Sequence, residues 1–275
     1  MECVPSSYNT YFEPFAGSAS LFFDLLPQRA VISDINSELI TAYQVIREQP
    51  RAAHCALAEM KPLTSEYYRI RSLNPSSMSR FDRSIRFLYL NRYGFNGIYR
   101  TNRQGQFNVP MGSRSGTLPT IEEYVQCASI LKTASLRTWD YRRATSRATR
   151  NDLVYLDPPY ATAIRPRYGE YGYASYSATQ LKKLIARLHD LDDRGVKVIL
   201  SYSAEPELLE ALSDWGILHL SIQRTIAANN DKRMRTIEIL ATNSASTAQL
   251  SSFTSADKNG ISSLQLDKDR MLCAN

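Results

Sequence analysis

Four consecutive residues, Asp157, Pro158, Pro159 and Tyr160, carry the densest chemistry in the chain. They follow Leu153-Val154-Tyr155-Leu156, an apolar run that predicts a short buried strand. A carboxylate beside a proline-flanked backbone carbonyl can accept hydrogen bonds from both N–H groups of one exocyclic amine. That pulls the nitrogen toward a tetrahedral form and localises its lone pair. The prolines stiffen the backbone and bring no N–H of their own to compete. Tyr160 offers a ring face for a base taken out of its stack. These residue types fit methyl transfer from a sulfonium donor to an amino group on a planar ring, such as N6 of adenine. Such a step needs in-line alignment more than acid–base strength, and Asp157 would stabilise the positive charge developing on nitrogen. On its own, Asp-Pro-Pro is also a common strand-ending turn.

A second group lies near the start. Glu13-Pro14-Phe15-Ala16-Gly17-Ser18-Ala19 follows the end of a strand at Tyr11-Phe12, and its small residues would let the backbone approach a cofactor. Asp34, after the buried run Ala30-Val31-Ile32-Ser33, is placed to accept from ribose hydroxyls, with Ile35 beside it. Asp34 could equally cap the next helix, as could Asn36 or Ser37.

The elements that must position these groups follow from the periodicity. A helix over Leu21 to Leu26 separates the two strands. Another begins near Ser37, with Leu39, Ile40, Tyr43 and Ile46 at helical spacing. From about Arg51 to Leu136 the pattern is helical, with Ile85, Leu88 and Tyr89 on one face. It is broken by the Gly- and Asn-rich stretch 92–112, which predicts turns with a β-hairpin. The α/β pattern resumes with the strand at 153–156 and a helix around Thr179 to Asp190. A strand at Lys197 to Ser201 and a short helix from Glu207 to Leu212 follow. Strands from Leu218 to Thr225 and Thr236 to Thr242 form an antiparallel pair around a basic loop. This order predicts an α/β, Rossmann-like fold carrying a mostly helical insertion. Residues 1–50 hold the cofactor part, 51–136 the insertion and 137–243 the Asp-Pro-Pro-Tyr part. The Ser-, Thr- and Ala-rich tail, 244–275, is expected to be disordered.

Composition narrows the partners. The chain has 275 residues, 43% of them hydrophobic, enough for one large core. A net charge of +6 with 17 tyrosines favours a polyanion whose bases can be stacked upon. Cys3, Cys55, Cys127 and Cys273 are scattered and form no CxxC pair. Neither a metal site nor a disulfide framework is expected, and a reducing cytoplasm fits. No apolar run approaches a membrane span, and the opening MECVPSSYNT has no signal-peptide pattern.

The stretches Pro14 to Ser20, Asp34-Ile35-Asn36 and Asp157 to Tyr160 resemble the class alpha DNA adenine N6-methyltransferases. Phe87-Leu88-Tyr89-Leu90-Asn91-Arg92-Tyr93-Gly94-Phe95-Asn96-Gly97-Ile98-Tyr99-Arg100, with Phe107 to Gly112, resembles more specifically the Dam subfamily, whose members usually methylate adenine in GATC. The resemblance covers roughly residues 11 to 242 and keeps the family's motif order. It implies an S-adenosylmethionine-dependent methyltransferase fold and a target-recognition role for the insertion. It also implies S-adenosylmethionine without a metal, and duplex DNA as partner, bound in the cytoplasm by a monomer. The cofactor would be held by Glu13 to Ala19, Asp34, Ile35 and Asp157. Phe95 would fill the gap left by a flipped adenine and Asn96 would contact the bases beside it. Ile98 would touch the thymine methyl, and Arg100 would read a guanine edge, the commonest base-specific contact. Arg92, Tyr93, Gly97, Asn108, Pro110 and Arg114 complete that DNA-binding stretch. Arg224 to Arg233 resembles a phosphate-contacting loop, with Asn229, Asn230, Lys232 and Arg233 positioning the duplex. Tyr176 and Ser177 resemble an aromatic-plus-hydroxyl element near the target base.

Three departures qualify the match. The family's usual N-terminal motif, Phe-Leu-Lys-Trp-Ala-Gly-Gly-Lys or similar, does not precede residue 11. An alternative expectation is therefore an N-terminally truncated, weakly active or inactive DNA-binding relic. Ala19 stands where the family has a second glycine, which is tolerable if φ stays negative. Arg114 lies two residues after Gly112, where relatives often carry a basic residue directly after the glycine. Methylation of an amino group in protein or RNA is a third expectation, disfavoured by the insertion.

Overall fold

A computed structural model describes residues 3–102, 104–113, 117–159, 178–223 and 235–245. Its centre is a strand of three residues, β1 (Tyr11–Glu13), buried along its whole length. Tyr11 belongs to one apolar cluster and Phe12 to another, so the strand is covered on both faces, as parallel strands must be. In chain order β1 is followed by α1 (Ser20–Leu25), β2 (Ala30–Asp34) and α2 (Ser37–Glu48). Next come α3 (Pro50–Ala58), α4 (Thr64–Ser72), α5 (Arg80–Tyr93), α6 (Ile121–Leu131), β3 (Ala134–Thr138) and α7 (Tyr141–Thr145). Last are β4 (Leu153–Leu156), α8 (Ala178–Asp193), β5 (Lys197–Ser203), α9 (Pro206–Ala211), β6 (Gly216–Gln223) and β7 (Arg235–Thr242).

Among the described residues the sheet runs β3-β2-β1-β4-β5-β7-β6. The first five strands are parallel, and β7 is antiparallel to both β5 and β6. From β1 the chain turns toward β2; from β4 it turns toward β5. The loops leaving β1 and β4 diverge, and a crevice opens between them at the carboxyl ends of the strands. Residues 14–19 and 157–159 border that crevice. The closing antiparallel pair agrees with the sequence expectation. The loop at 224–234, most of the tail, and Tyr160, Tyr176 and Ser177 lie outside the described residues.

The insertion does not close a core of its own. Tyr67 of α4, Tyr89 of α5 and Tyr124 of α6 are fully buried in the same cluster as Tyr11 and Ile32 of the sheet. The sheet resumes at Ala134, not after Leu136. β3 pairs with β2 from Ala30↔Ala134 to Asp34↔Thr138. Ala134 and Leu136 point inward at period two. Helix α6 ends only three residues earlier, and so short a gap let the helical pattern run on into the strand. The five-residue α7 was not foreseen either, being too short to show a helical period.

Candidate active site

The turn after β1 is fastened from below and behind. Ala16 N–H donates to Ser33 O at 3.0 Å. Gly17 N–H donates to Asp34 Oδ2 at 3.2 Å, and the Tyr43 hydroxyl on α2 donates to Gly17 O at 2.8 Å. Gly17 has φ +46°, and a Cβ placed there would meet nothing within 4 Å, so this backbone faces open space. Asp34 Oδ1 also accepts from Asn36 N–H at 2.8 Å. Asn36 Oδ1 in turn accepts from Glu38 N–H and Leu39 N–H, at 3.1 and 3.3 Å. Asn36 therefore caps α2, and Asp34 belongs to the turn. Burial raises the Asp34 carboxyl above its ordinary range, against the hydrogen bonds it accepts. Ile35 is exposed beside it.

Ala19 departs from expectation. Its φ is +51° and ψ 34°, the left-handed region, with its side chain fully buried. The family glycine would adopt this conformation freely, whereas an L side chain pays about 1–2 kcal/mol. A bond from Ala19 N–H to Ala16 O holds the conformation, and Ala19 O accepts from Phe23 N–H at 3.1 Å to start α1.

Glu13 is 3% exposed. Its Oε2 accepts from the Tyr11 hydroxyl at 2.9 Å and from Phe22 N–H at 3.2 Å. Burial pushes its carboxyl up to about 8; those two hydrogen bonds oppose the shift, and the charges of Asp157 and Asp24 add to it. The register explains why Asp157 is felt. Tyr11 lies beside Leu153 and Phe12 beside Val154. Continuing it puts Glu13 beside Tyr155, and Asp157, two residues on, follows on the same face. Asp157 is half-buried, Pro158 buried and Pro159 exposed. Pro14 is buried, while Ser18 and Phe15 are half-buried, and the Phe15 ring stacks on Tyr141 at 5.3 Å and 24°. Tyr43 and Tyr141 were not picked out from the sequence as parts of the site. Each reaches the turn from a distant element, so no local spacing marks them.

The second half of the site is the ribbon formed by residues 93–112. Gly94 and Met111 bridge antiparallel, as do Thr101 and Phe107. Phe95 N–H donates to Pro110 O at 2.9 Å, and Gly112 N–H to Tyr93 O at 2.8 Å. Asn96 and Gly97 turn the chain with φ +53° and +60°. This presents Phe95 outward, 44% exposed, alongside exposed Asn96, Gly97 and Pro110. Ile98, Arg100 and Asn108 are half-buried, and Arg100 Nε donates to Asn108 Oδ1 at 2.9 Å. The Tyr67 hydroxyl and Arg71 Nη1 both donate to Val109 O, at 3.2 and 3.0 Å, tying the ribbon to α4.

One residue expected to contact DNA is buried in this structure. Arg92 is 4% exposed. It lies on the inward face of the last turn of α5, with Leu88 and Tyr89 one turn earlier, and its guanidinium sits 5.6 Å from the Tyr93 ring centre. Tyr93 is half-buried against Tyr89 at 4.8 Å. Arg114, Asn229, Asn230, Lys232 and Arg233 lie outside the described residues.

Gly94 is required by close approach. A Cβ there would stand 2.6 Å from Leu90 O and 3.2 Å from the Tyr67 hydroxyl. Gly94→Ala is expected to destabilise the protein by about 1–3 kcal/mol through overpacking against backbone. Thermal melting tests this, and an unchanged Tm refutes it.

A model of the family described as D12 class N6 adenine-specific DNA methyltransferase matches residues 1–226. The chain belongs to this family. It is also similar to Type II methyltransferase M1.LlaDCHI of Lactococcus lactis subsp. cremoris, with 34% identity over 254 residues, 87% of this chain and 88% of that protein. DNA adenine methylases of Escherichia coli K12 and Salmonella typhi each share 31% identity, over 83% of this chain and 84% of theirs. The methyltransferase has no group of three or more His, Cys, Asp or Glu suited to a metal ion among its described residues. No described helix is long and apolar enough to cross a membrane. At the carboxyl ends of β1 and β4 this methyltransferase carries an open backbone turn, the carboxyls of Glu13 and Asp157 and a proline pair, and its ribbon carries an aromatic ring into solvent.

Proposed function

We propose that this chain transfers a methyl group from S-adenosylmethionine to N6 of adenine in duplex DNA, in the sequence GATC, after flipping the adenine out of the stack. What supports the reading is that the Gly17 turn and Asp157-Pro158 follow the carboxyl ends of the neighbouring parallel strands β1 and β4. S-adenosylmethionine supplies an electrophilic methyl group. The residues present fit it: Gly17 faces open space, Asp34 lies beside the turn, and the Phe15–Tyr141 ring pair borders it. Asp157 accepts one N6 hydrogen and the backbone carbonyl of Pro158 the other, which readies the nitrogen lone pair. Asp157 then stabilises the charge that develops on nitrogen.

The target-recognition part lies within residues 51–136, ahead of strand β3 at its end. The exposed Phe95 ring suits the gap a flipped base leaves, because burying it between base pairs offsets part of the cost of unstacking. Ile98 and Arg100 read the bases beside it. Asn229, Asn230, Lys232 and Arg233 contact phosphates, and the protein works as a monomer on cytoplasmic DNA.

The test is transfer of a labelled methyl group to duplexes altered at each base of GATC in turn. Transfer to the cognate duplex alone supports the reading. Duplex binding without any transfer refutes it in favour of an inactive DNA-binding protein, and preference for RNA refutes the choice of substrate. Arg100→Ala is expected to lose about 1–3 kcal/mol of discrimination at the guanine it reads, roughly 5- to 150-fold in relative kcat/KM. Equal loss on every duplex would place Arg100 on the phosphate backbone instead.

A further inference from the structure

Helix α2 starts three residues after Asp34, and Glu38 lies in its first turn, where a carboxylate is favoured by the helix dipole. Glu38 Oε2 accepts from the Tyr99 hydroxyl at 2.9 Å. Its Oε1 lies 4.0 Å from Arg86 Nη1 of α5, a guanidinium whose side chain is only 4% exposed. Arg86 donates from Nε to Ile70 O at 3.1 Å and from Nη2 to Arg71 O at 3.0 Å. Arg71 reaches on to Val109 at the base of the recognition ribbon. Tyr99 stands between Ile98 and Arg100, and its ring rests against Phe87 at 5.5 Å and Phe107 at 5.6 Å.

These contacts form a continuous path. Asp34 is bonded to Gly17 and Asn36, Asn36 caps the turn that contains Glu38, and Glu38 holds the strand of the ribbon that carries Ile98 and Arg100. The segment from Asp34 to Glu38 is five residues long and bonded at each end. A shift of the Asp34 turn therefore moves the carboxylate that fixes Tyr99. The hydrogen bond from Tyr99 is charge-assisted and sheltered, so it is strong enough to set the position of the strand.

We propose that Glu38 is a positioning residue that couples occupancy of the Gly17–Asp34 turn to the register of the recognition ribbon, so that cofactor and cognate duplex strengthen each other's binding. The proposal rests on the reading of the ribbon as the DNA-recognising element. Coupling of this kind is reciprocal: whatever factor the cofactor adds to duplex affinity, the duplex adds to cofactor affinity.

The test uses the full chain, a fluorescent GATC duplex and S-adenosylhomocysteine as a non-reacting occupant of the turn. Duplex affinity is measured by anisotropy with and without that occupant, for the unaltered protein, Glu38→Gln, Tyr99→Phe and the double variant. The unaltered protein is expected to bind GATC more tightly when the turn is occupied. Each single variant is expected to cut that enhancement about tenfold, the scale of one hydrogen bond to a charged group. It should also lower GATC discrimination over a one-base mismatch. The double variant should be no worse than Tyr99→Phe alone, because Tyr99→Phe removes the bond that Glu38→Gln only weakens by taking away its charge. Calorimetric affinity for S-adenosylhomocysteine without DNA should hold steady. Tyr99→Phe leaves the Glu38–Arg86 pair intact, so its result stands even if Glu38→Gln folds poorly. An unchanged enhancement in Tyr99→Phe, or a fall in Tm alone, overturns the proposal. So does an unaltered protein that methylates GATC but shows no enhancement, and that result leaves the proposed function standing. An unaltered protein that neither binds nor methylates GATC overturns both.

Discussion

Replacing Asp157 with alanine is expected to lower kcat by about 10²–10³-fold, the scale seen when one preorganised group facing developing charge is removed. The physical reason lies in the amine. The N6 lone pair is delocalised into the ring, and only acceptors on both N–H groups draw it out. Without the carboxylate, one hydrogen has no acceptor and the developing positive charge has no counter-charge. Asp157→Asn retains an oxygen acceptor but no charge, so it should fall between the two. The measurement is single-turnover methyl transfer to a GATC duplex, with S-adenosylhomocysteine affinity and Tm followed in parallel. Removal of a carboxylate also relieves Glu13, so Tm should hold or rise slightly. Full activity in Asp157→Ala would remove the tetrapeptide from the chemistry altogether.

Stability is expected to fall as pH rises toward 8, and Glu13 is the group responsible. Its carboxyl is raised from 4.5 to about 8 by burial, with Asp157 and Asp24 reinforcing the shift. Between those two values the folded chain keeps the proton that the unfolded chain has already lost. The folded state therefore binds more protons, and unfolding becomes easier with each step upward in pH. The stabilisation conferred by the neutral acid is complete below about 4.5 and is lost by about 8, after which the curve flattens. Each pH unit in that window is worth about 1.4 kcal/mol at most, so the total reaches a few kcal/mol, or several degrees in Tm. Glu13→Gln keeps an oxygen for Tyr11 and Phe22 but cannot ionise, and it should abolish most of that slope. Parallel slopes in the two proteins across pH 5–9 would show that another group dominates. The same ionisation bears on function. A neutral Glu13 adds no negative charge beside Asp157, and a cationic ligand would favour loss of the Glu13 proton.

The sequence by itself determined which residues could carry the chemistry and the order in which they come. Asp157 and its two prolines, the small-residue turn from Glu13 to Ala19, and Asp34 each follow an apolar run of strand length, and such local patterns survive without knowledge of the fold. The same holds for the closing antiparallel pair and for the Gly- and Asn-rich ribbon, because turns declare themselves through the residues they require. Tertiary structure alone decided which of these groups meet. Glu13 and Asp157 are 144 positions apart, and only the β1–β4 register brings them near, where the Asp157 carboxylate raises the cost of charging Glu13. Arg92 stands within the expected recognition stretch, and only the rotation of α5 shows that its side chain is buried. The sequence left the sign of φ at Ala19 open, and the path from β1 into α1 makes it positive. Strand β3 was hidden because α6 ends only three residues before it, and pairing with β2 is what separates the two. Glu38 and Tyr99 carry no signal in either neighbourhood, since a hydrogen bond between residues 61 positions apart exists only once α2 and the ribbon have packed. Local propensity acts over a few residues, whereas pairing, burial and electrostatic coupling depend on which segments the folded chain brings within a few ångströms of one another.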